Sequence, residues 1–230
     1  MAQVLDNLES VRTQIAAAAG RAGRLPEEIT LIAVTKTIDH KRIQQVVDQG
    51  ANHLGENRVQ ELVDKYNHIQ GTVQWHLIGT LQTNKVKNII DKVAMIHSLD
   101  RWALAEEISK RAQGIGRKCP VLVQVNVSGE TTKSGFAPQE LADFISAAAK
   151  LPGIQIQGLM TMAPFVANPE ETRPVFRELK RLATEIADLQ VPGVAMQHLS
   201  MGMSNDYWVA IEEGATLVRV GSRIFGSRVK

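Results

Sequence analysis

Eight short apolar runs, separated by segments of helical periodicity, constrain the fold of this chain more than any other feature of its sequence. The clearest run is Val-Leu-Val-Gln-Val-Asn-Val at 121–127, and further strands are predicted at 31–37, 53–57, 74–79, 93–98, 154–160, 196–199 and 216–220. Only a few residues join each strand to the neighbouring helix, which favours parallel strands with right-handed crossovers. Eight such units close a barrel, so we expect an α/β fold, a single (β/α)₈ TIM barrel.

An extra amphipathic helix is predicted before the first strand. Its apolar residues recur at helical spacing and the helix is expected to end near Gly20; they are Leu5, Leu8, Val11, Ile15 and Ala19. Only ten residues follow Val220, too few for a full final helix. We therefore expect the amino-terminal helix to cover the outer wall of the barrel near that gap.

Later helices are predicted from caps and apolar spacing. Asp39 is expected to cap the helix after the first strand, and Asp100 the helix after the fourth. Pro138 and Pro174 are expected near the starts of the helices after strands five and six. Residues 86–90 predict a helix after strand three.

Composition and charge narrow the class of protein. The chain has 230 residues, a net charge of +2 and no basic or acidic block, so neither nucleic acid nor a membrane surface is an expected partner. Its one cysteine, Cys119, excludes an internal disulfide and a zinc site built on cysteines. No apolar run has transmembrane length, and residues 1–10 lack the layout of a signal peptide. We expect one domain, residues 1–230, in the cytoplasm.

Lys36 lies at the carboxyl end of the first predicted strand, the end where ligands bind and catalytic groups stand in barrels. Taken alone, such a lysine more often extends into water at the sheet edge. The alternative is a desolvated amine with a lowered pKa that forms a Schiff base with an aldehyde. Other loops of the chain bear on this choice.

Two glycine-and-hydroxyl loops follow the last two strands. Residues 200–206 read Ser-Met-Gly-Met-Ser-Asn-Asp, and residues 219–226 read Arg-Val-Gly-Ser-Arg-Ile-Phe-Gly. Such loops let backbone N–H groups approach an anion, although a serine before a helix is also an ordinary cap. The loops after strands seven and eight are the usual phosphate site of this barrel. Because strands one and eight are neighbours in a closed barrel, Lys36 is predicted close to that site.

A Schiff-base lysine beside a phosphate site suits a phosphorylated aldehyde. Pyridoxal 5'-phosphate is one candidate, and a sugar phosphate held by an aldolase is the other. Arg219 favours the first, because an inward-facing arginine can donate to a pyridine nitrogen and a sugar phosphate offers no ring acceptor. Arg219 in a salt bridge at the barrel mouth is the alternative interpretation.

Seven motifs resemble one family, in its order and across nearly the whole chain. They are Ala33-Val34-Thr35-Lys36-Thr37, Gly55-Glu56-Asn57 with Gln60-Glu61, Trp75-His76-Leu77-Ile78-Gly79 with Leu81-Gln82-Thr83-Asn84-Lys85, Lys133-Ser134-Gly135, Gly158-Leu159-Met160, Leu199-Ser200-Met201-Gly202-Met203-Ser204 and Arg219-Val220-Gly221. The chain resembles the YggS/PROSC family of pyridoxal-phosphate homeostasis proteins. This resemblance implies a fold-type III barrel, similar to the amino-terminal domain of alanine racemase, that holds pyridoxal 5'-phosphate as an internal aldimine.

The same resemblance assigns roles by motif. It implies that Lys36 is the aldimine lysine and that Arg219 faces the pyridine nitrogen. Asn57 and Met160 are expected to line the ring. The phosphate is expected to contact Gly221 and Ser222 in the second glycine-and-hydroxyl loop. In the first loop it is expected to contact Ser200 and Ser204, and either of these two serines could make the closer contact.

Other residues in these motifs have structural expectations. His76 and His198 are interpreted as buried histidines satisfied by backbone groups rather than as acids or bases. Glu56 and Asp206 are interpreted as helix caps or rim charges. Packing is expected of three larger side chains: Trp75, Met201 and Met203.

The resemblance implies a protein that binds and buffers its cofactor without established turnover, so we expect no enzyme activity. An amino-acid racemase is the alternative, and it needs a second acid or base opposite the lysine. In racemases this group is a tyrosine delivered by an extra domain, which we expect to be absent; Tyr66 and Tyr207 both lie on predicted helices. We expect a monomer whose partners are pyridoxal 5'-phosphate and either cofactor-dependent apoenzymes or a regulatory protein.

Overall fold

Eight parallel strands form a closed barrel in the computed structural model, which describes residues 2–130 and 133–226. Each strand pairs with the next along the chain, and the last pairs with the first. The (β/α)₈ barrel is therefore confirmed. The strands are β1 Thr30–Val34, β2 His53–Glu56, β3 Gln74–Leu77, β4 Val93–Leu99, β5 Cys119–Gln124, β6 Ile154–Met160, β7 Val194–Ser200 and β8 Leu217–Val220.

Helices pack on the outside of this barrel. The α-helices are α1 Ala2–Arg21, α2 His40–Asp48, α3 Val59–His68, α4 Trp102–Gly114, α5 Leu141–Ala148, α6 Arg173–Asp188, α7 Tyr207–Glu212 and α8 Ser222–Phe225. Short 3₁₀ helices occupy Pro26–Glu28, Thr83–Asn88, Pro138–Glu140 and Pro169–Thr172. Within these described ranges, no helix combines the length and the apolar character that crossing a membrane requires.

Two of the helix predictions are wrong in detail. The segment after β3 forms a 3₁₀ helix, Thr83–Asn88, instead of an α-helix. This tighter winding buries Val86 inside it and leaves Ile89 and Ile90 buried in the turn that follows. Asp100 does not cap α4, because the helix begins at Trp102 and its cap position is Arg101; the Asp100 carboxylate instead pairs with Arg101 at 2.5 Å. By contrast, the Asp39 carboxylate accepts a hydrogen bond from the Arg42 amide at 3.0 Å, as a cap does.

Helix α1 closes the gap left by the short last helix, as predicted. It packs against α7, α8 and α2. The Asn7 side chain donates to the carbonyl of Ile224 at 3.0 Å, and the Tyr207 hydroxyl donates to Gln14 at 2.5 Å. α8 spans only Ser222–Phe225, and residues 227–230 of the chain's end lie outside the described ranges.

The inside of the barrel is filled by two kinds of side chain. Side chains alternate between the two faces of a strand, and the outward face packs into one large apolar core with the helices. The inward face forms a separate small apolar cluster of Ile32, Met95, Leu122, Met160 and Leu217. Polar residues stand two positions from members of this cluster and so share the interior; examples are His97 on β4 and Arg219 on β8.

Candidate functional site

A cavity of about 270 Å³ opens at the carboxyl end of the barrel, the end that carries ligand sites in this fold. Lys36 and Arg219 both line it, as β1 and β8 are paired neighbours. The structure thus brings together the predicted lysine and the predicted phosphate loops. Six of the eight predicted site residues line this cavity: Lys36, Asn57, Ser204, Arg219, Gly221 and Ser222.

Lys36 lies in a loop whose backbone is fixed on both sides. β1 ends at Val34, and Lys36 follows two residues later, half-buried. On one side, the Lys65 ammonium donates to the Thr35 carbonyl at 2.7 Å. On the other, the Thr37 amide donates to Glu61 at 2.8 Å. Thr37 has φ of +64°, a conformation that costs a branched residue energy unless its surroundings hold it.

Glu56 and Lys65 form a buried ion pair beneath this loop. The Lys65 ammonium lies 2.7 Å from Glu56, and their side chains are 5% and 0% exposed. The Thr35 hydroxyl also donates to Glu56 at 2.6 Å. The second Glu56 oxygen, Oε2, has no hydrogen-bond partner among the described residues. Burial raises the pKa of Glu56, and the hydrogen bonds from Lys65 and Thr35 oppose that rise.

The interpretation of Glu56 as a cap or rim charge is therefore wrong. Glu56 is the last residue of β2, and its side chain lies against β1 and α3 rather than at the rim. The physical reason is Lys65: one turn of α3 places its ammonium where it meets Glu56, Glu61 and the Thr35 carbonyl together. This network is an unpredicted part of the site, because it joins residues up to 30 positions apart.

Arg219 extends from β8 into the interior and is held by two acceptors. One terminal nitrogen donates to the Ser200 hydroxyl at 2.5 Å, and the other to the Thr161 carbonyl at 3.0 Å. Burial lowers the pKa of Arg219 to about 10, and Asp206 opposes the shift. Arg219 thus remains a cation at neutral pH. Arg219 makes no salt bridge with another described residue. The alternative interpretation, a salt bridge at the barrel mouth, is therefore wrong.

The structure separates the two serines of the first loop. Ser204 lines the cavity, and its hydroxyl accepts a hydrogen bond from the Gly221 amide at 3.1 Å. Ser200 is fully buried at the end of β7, between Arg219 and the ring of His97, whose Nδ1 lies 2.8 Å from the hydroxyl. Ser204 is therefore the member of the pair placed to meet an anion in the cavity, whereas Ser200 supports Arg219.

The loop that carries Ser204 makes a tight turn at Gly202. Gly202 has φ of +87°, and a Cβ there would lie 2.6 Å from Ala210 and 2.9 Å from Tyr207. Asp206 closes the loop by accepting from the Met203 amide at 2.6 Å. Asp206 occupies the cap position of α7, as expected, but its side chain makes no capping bond there, and burial raises its pKa.

The remaining lining of the cavity is largely apolar. Val34 and Ile78 contribute to it, as do Met162 and Phe165 of the segment 162–166, of which Phe165 is 84% exposed. Asn57 is among the lining residues, as predicted. Met160 is not among them; it is 1% exposed and packs in the small interior cluster. Trp75 and Met201 pack in the core as expected, whereas Met203 lines the cavity.

Three histidines occupy the barrel interior in hydrogen-bond contact. His53 Nδ1 lies 3.0 Å from His76 Nε2, and His76 Nδ1 lies 2.9 Å from His97 Nε2. The expectation that backbone groups satisfy His76 is therefore wrong, because its partners are side chains. His198 is only partly buried, with Thr216 at 3.5 Å. The sequence offers one signal for this group, since each of the three histidines lies on a predicted strand of the barrel.

The donor set of the cavity fits a phosphorylated aromatic aldehyde. Lys36 supplies an amine and Arg219 a cation rich in N–H donors. Ser204 and Ser222 supply hydroxyls, and Gly221 brings its backbone close: a Cβ there would lie 3.2 Å from the Val34 carbonyl oxygen. Such a set can bind an anion, donate to a ring nitrogen and offer an amine to a carbonyl.

Comparison with known proteins gives a consistent result over the whole chain. The family model described as alanine racemase, N-terminal domain, matches residues 7–229. The pyridoxal phosphate homeostasis protein of Aquifex aeolicus is 45% identical over 224 residues, covering 97% of each chain. The protein of the same name from Escherichia coli K12 is 38% identical over 232 residues, covering 99% of this chain and 98% of that one.

Solved structures agree with this result. PipY of Synechococcus elongatus, described as a COG0325 family member and solved with PLP bound, superposes with a TM-score of 0.85 at 35% identity, covering 97% of this chain and 100% of PipY. Alanine racemase of Clostridium difficile superposes with a TM-score of 0.74 at 18% identity, covering all of this chain and 57% of the racemase. The racemase shows the shared fold alone. The chain belongs to the family of pyridoxal phosphate homeostasis proteins, whose barrel is that of the alanine racemase amino-terminal domain.

Proposed function

We propose that this protein binds pyridoxal 5'-phosphate in the cavity at the carboxyl end of its barrel and takes part in intracellular vitamin B6 homeostasis. The observation that carries the proposal is the convergence of Lys36 and Arg219 with Ser204, Gly221 and Ser222 on one cavity. Support comes from PipY, a relative 35% identical that was solved with PLP bound. The curated relatives are named as homeostasis proteins.

Each group has a proposed role set by its chemistry. When bound, pyridoxal 5'-phosphate supplies an aldehyde, a phosphate ester and an aromatic nitrogen. Lys36 provides the amine that holds the aldehyde carbon covalently. Ser204 and Ser222 bind the phosphate through their hydroxyls, and the Gly221 amide, which donates to the Ser204 oxygen, leaves the Ser204 proton for the phosphate. Arg219 donates to the ring nitrogen, and Asn57 contacts the ring. Ser200 and Met160 act without lining the cavity. Ser200 holds Arg219 by a hydrogen bond, and Met160 packs in the apolar cluster inside the barrel.

A binding and buffering role is proposed ahead of catalysis. The guanidinium of Arg219 can donate hydrogen bonds but cannot accept them. A ring nitrogen that accepts from it stays unprotonated, which makes the ring a weaker electron sink. Racemisation also needs a second acid or base facing the substrate. Neither tyrosine supplies it: Tyr66 lies on α3, and Tyr207 donates to Gln14 of α1, on the outer side of the barrel. An amino-acid racemase remains the alternative, and exchange of solvent deuterium into the Cα of an amino acid would support it.

The experiment that tests the proposal is reconstitution of the purified protein with pyridoxal 5'-phosphate. The wild type is expected to turn yellow and to retain the cofactor after borohydride reduction and denaturation. Lys36→Ala should remain colourless and retain none. Lys150→Ala, at an exposed position, is the matched control and should behave as the wild type. A wild-type protein that neither colours nor retains cofactor contradicts the proposal.

We further propose a cytoplasmic monomer that passes its cofactor to dependent apoenzymes. The proposal is supported by a cavity in which one chain supplies the amine, the cation and the hydroxyls proposed to bind the cofactor. Sedimentation of the loaded protein should give one species near the chain mass of 25.3 kDa. Mixing the loaded protein with an apoenzyme should restore that enzyme's activity faster than release into buffer allows, and a dimer or equal rates contradict the proposal.

A further inference from the structure

A continuous row of hydrogen-bonded side chains crosses the inside of the barrel. It begins with His53 at the amino end of β2, passes through His76 on β3 and His97 on β4, and reaches Ser200 at the carboxyl end of β7. Ser200 then meets Arg219 of β8. Consecutive polar atoms in the row lie between 2.5 and 3.0 Å apart. The row thus connects the cavity to the opposite end of the barrel.

Only one placement of the protons in this row gives every N–H and O–H donor between Arg219 and His53 an acceptor. Arginine only donates, so the Ser200 oxygen accepts from Arg219. The Ser200 proton then needs an acceptor, and His97 Nδ1 is 2.8 Å away. His97 therefore carries its proton on Nε2 and donates to His76 Nδ1, and His76 in turn donates from Nε2 to His53 Nδ1. In the reverse direction, the Ser200 proton would have no acceptor among its described contacts.

The interior keeps these rings neutral. His76 and His97 are 3% and 0% exposed. Burial and the neighbouring histidines lower the pKa of His76 to about 3, and burial holds the pKa of His97 well below its usual range, with His76 and Arg219 adding to the effect. A neutral imidazole has one donor and one acceptor nitrogen, which is what each inner position of the row requires.

We propose that His97, supported by His76 and His53, is a positioning residue for Arg219. By accepting the Ser200 proton, His97 turns the lone pairs of Ser200 toward the guanidinium. Ser200 then holds one terminal nitrogen of Arg219, and the Thr161 carbonyl at 3.0 Å holds the other. Both acceptors belong to the barrel interior. The remaining N–H groups are thereby aimed at an aromatic nitrogen acceptor in the cavity. The inference rests on the proposed function for its ligand, but the arrangement of protons in the row does not.

The direction of the row is tested first, without cofactor. Nitrogen-15 chemical shifts of the histidine rings distinguish the two neutral tautomers. His97, His76 and His53 are expected to carry the proton on Nε2, and the His97 signal should change in Ser200→Ala. A proton on Nδ1 of His97 overturns the inference, because His97 would then donate to Ser200.

The effect on Arg219 is tested by comparing two ligands in each variant. Pyridoxal 5'-phosphate and its 1-deaza analogue differ only in that the analogue has carbon in place of the ring nitrogen. The wild type should bind the natural cofactor about tenfold more tightly, as a charge-assisted hydrogen bond implies. His97→Leu should lose most of this preference. His97→Asn, which retains an acceptor near the position of Nδ1, should keep it.

The ratio of the two affinities serves as an internal control, since general loss of folding weakens both ligands alike. An unchanged ratio in His97→Leu overturns the inference even if both affinities fall. A ratio in His97→Asn that falls as far as in His97→Leu also overturns it, because acceptance of the Ser200 proton would then not be the cause. If the wild type binds neither ligand, the proposed function itself fails, and the tautomer measurement still decides the direction of the row.

Discussion

At the scale of single residues, the site depends on charged groups that never reach the cavity. Lys65 does not line it, yet its ammonium contacts the Thr35 carbonyl, Glu56 and Glu61 around the Lys36 loop. Glu61 in turn accepts from Thr37, which has a positive φ. Because strained backbone persists only where its surroundings fix it, this network sets the conformation from which Lys36 extends.

Removal of Lys65 should therefore be costly. Lys65→Met leaves the Glu56 carboxylate buried without its cation, and we expect the free energy of unfolding to fall by about 3 kcal/mol. Urea denaturation measures the change. The double variant Glu56→Gln, Lys65→Met removes both charges and should recover a large part of the loss. A double variant less stable than Lys65→Met would show that the ion pair is not the cause.

The interior histidines predict a dependence of stability on pH. Their folded pKa values lie below the ordinary value of 6.5, that of His76 at about 3. The unfolded chain thus binds more protons below pH 6.5, so stability should be full above that pH and fall as the pH drops toward 3. His76 and His97, whose pKa values are lowered most, should each contribute roughly 1 kcal/mol per pH unit. Chemical denaturation between pH 7 and 5 measures the slope.

The slope should be shallower in His76→Asn, which removes one of these groups. Met95→Leu, a change of similar depth in the barrel interior, adds and removes no titrating group and should keep the wild-type slope. A slope that is unchanged in His76→Asn would assign the pH dependence to other groups.

At the scale of elements, the loop between β7 and α7 decides the shape of the site. Its serines have different neighbours because Gly202 turns the chain between them, bringing Ser204 to the Gly221 amide while Ser200 stays inside. The Gly202 carbonyl also accepts from the Arg219 amide at 3.1 Å. One turn therefore joins the last two strands at the position where the phosphate is proposed to bind.

Gly202→Ala should disturb this element strongly. The added Cβ meets Ala210 at 2.6 Å in addition to the strain of a positive φ, and we expect a loss of about 3 kcal/mol. Gly193→Ala is the matched control, because Gly193 has a similar φ of +82° with nothing within 4 Å of the added Cβ. It should lose about 1 kcal/mol. Thermal unfolding compares the two, and equal losses would contradict the role of the close contact.

At the scale of the whole molecule, stability comes mainly from outside the ring of strands. The large apolar core lies between strands and helices, whereas the interior divides its space between a small apolar cluster and polar side chains. Helix α1 completes the outer layer where α8 is too short to do so. The barrel can thus hold a polar interior because its apolar burial takes place elsewhere.

Helix α1 should therefore contribute to the stability of the whole barrel. Leu8 is 1% exposed in the core, and Leu8→Ala should lower the free energy of unfolding by about 3 kcal/mol in a single cooperative transition. Glu9→Ala, one position along and exposed, should change it by about 0.5 kcal/mol or less. Two separate transitions in Leu8→Ala would mean that α1 unfolds independently of the barrel.

Much of the fold could be predicted, since it depends on local patterns. Apolar runs and helical spacing are properties of neighbouring residues, and they predicted β6 with its bounds, the order of strands and the position of α1. Two local predictions failed: residues 83–88 form a 3₁₀ helix, and α4 begins one residue later than a cap at Asp100 requires. Apolar spacing alone does not distinguish a 3₁₀ turn from an α-helix, and helix ends are not fixed by it.

The sequence by itself determined the barrel and the approximate place of the site, because strand order in a closed ring makes the first and last strands neighbours. Only the tertiary structure decided that Ser204 and not Ser200 faces the cavity, that Glu56 is buried against Lys65, and that three histidines join end to end. Hydrogen bonds depend on distances of a few tenths of an ångström between residues far apart in the chain. Local periodicity carries no information about such distances.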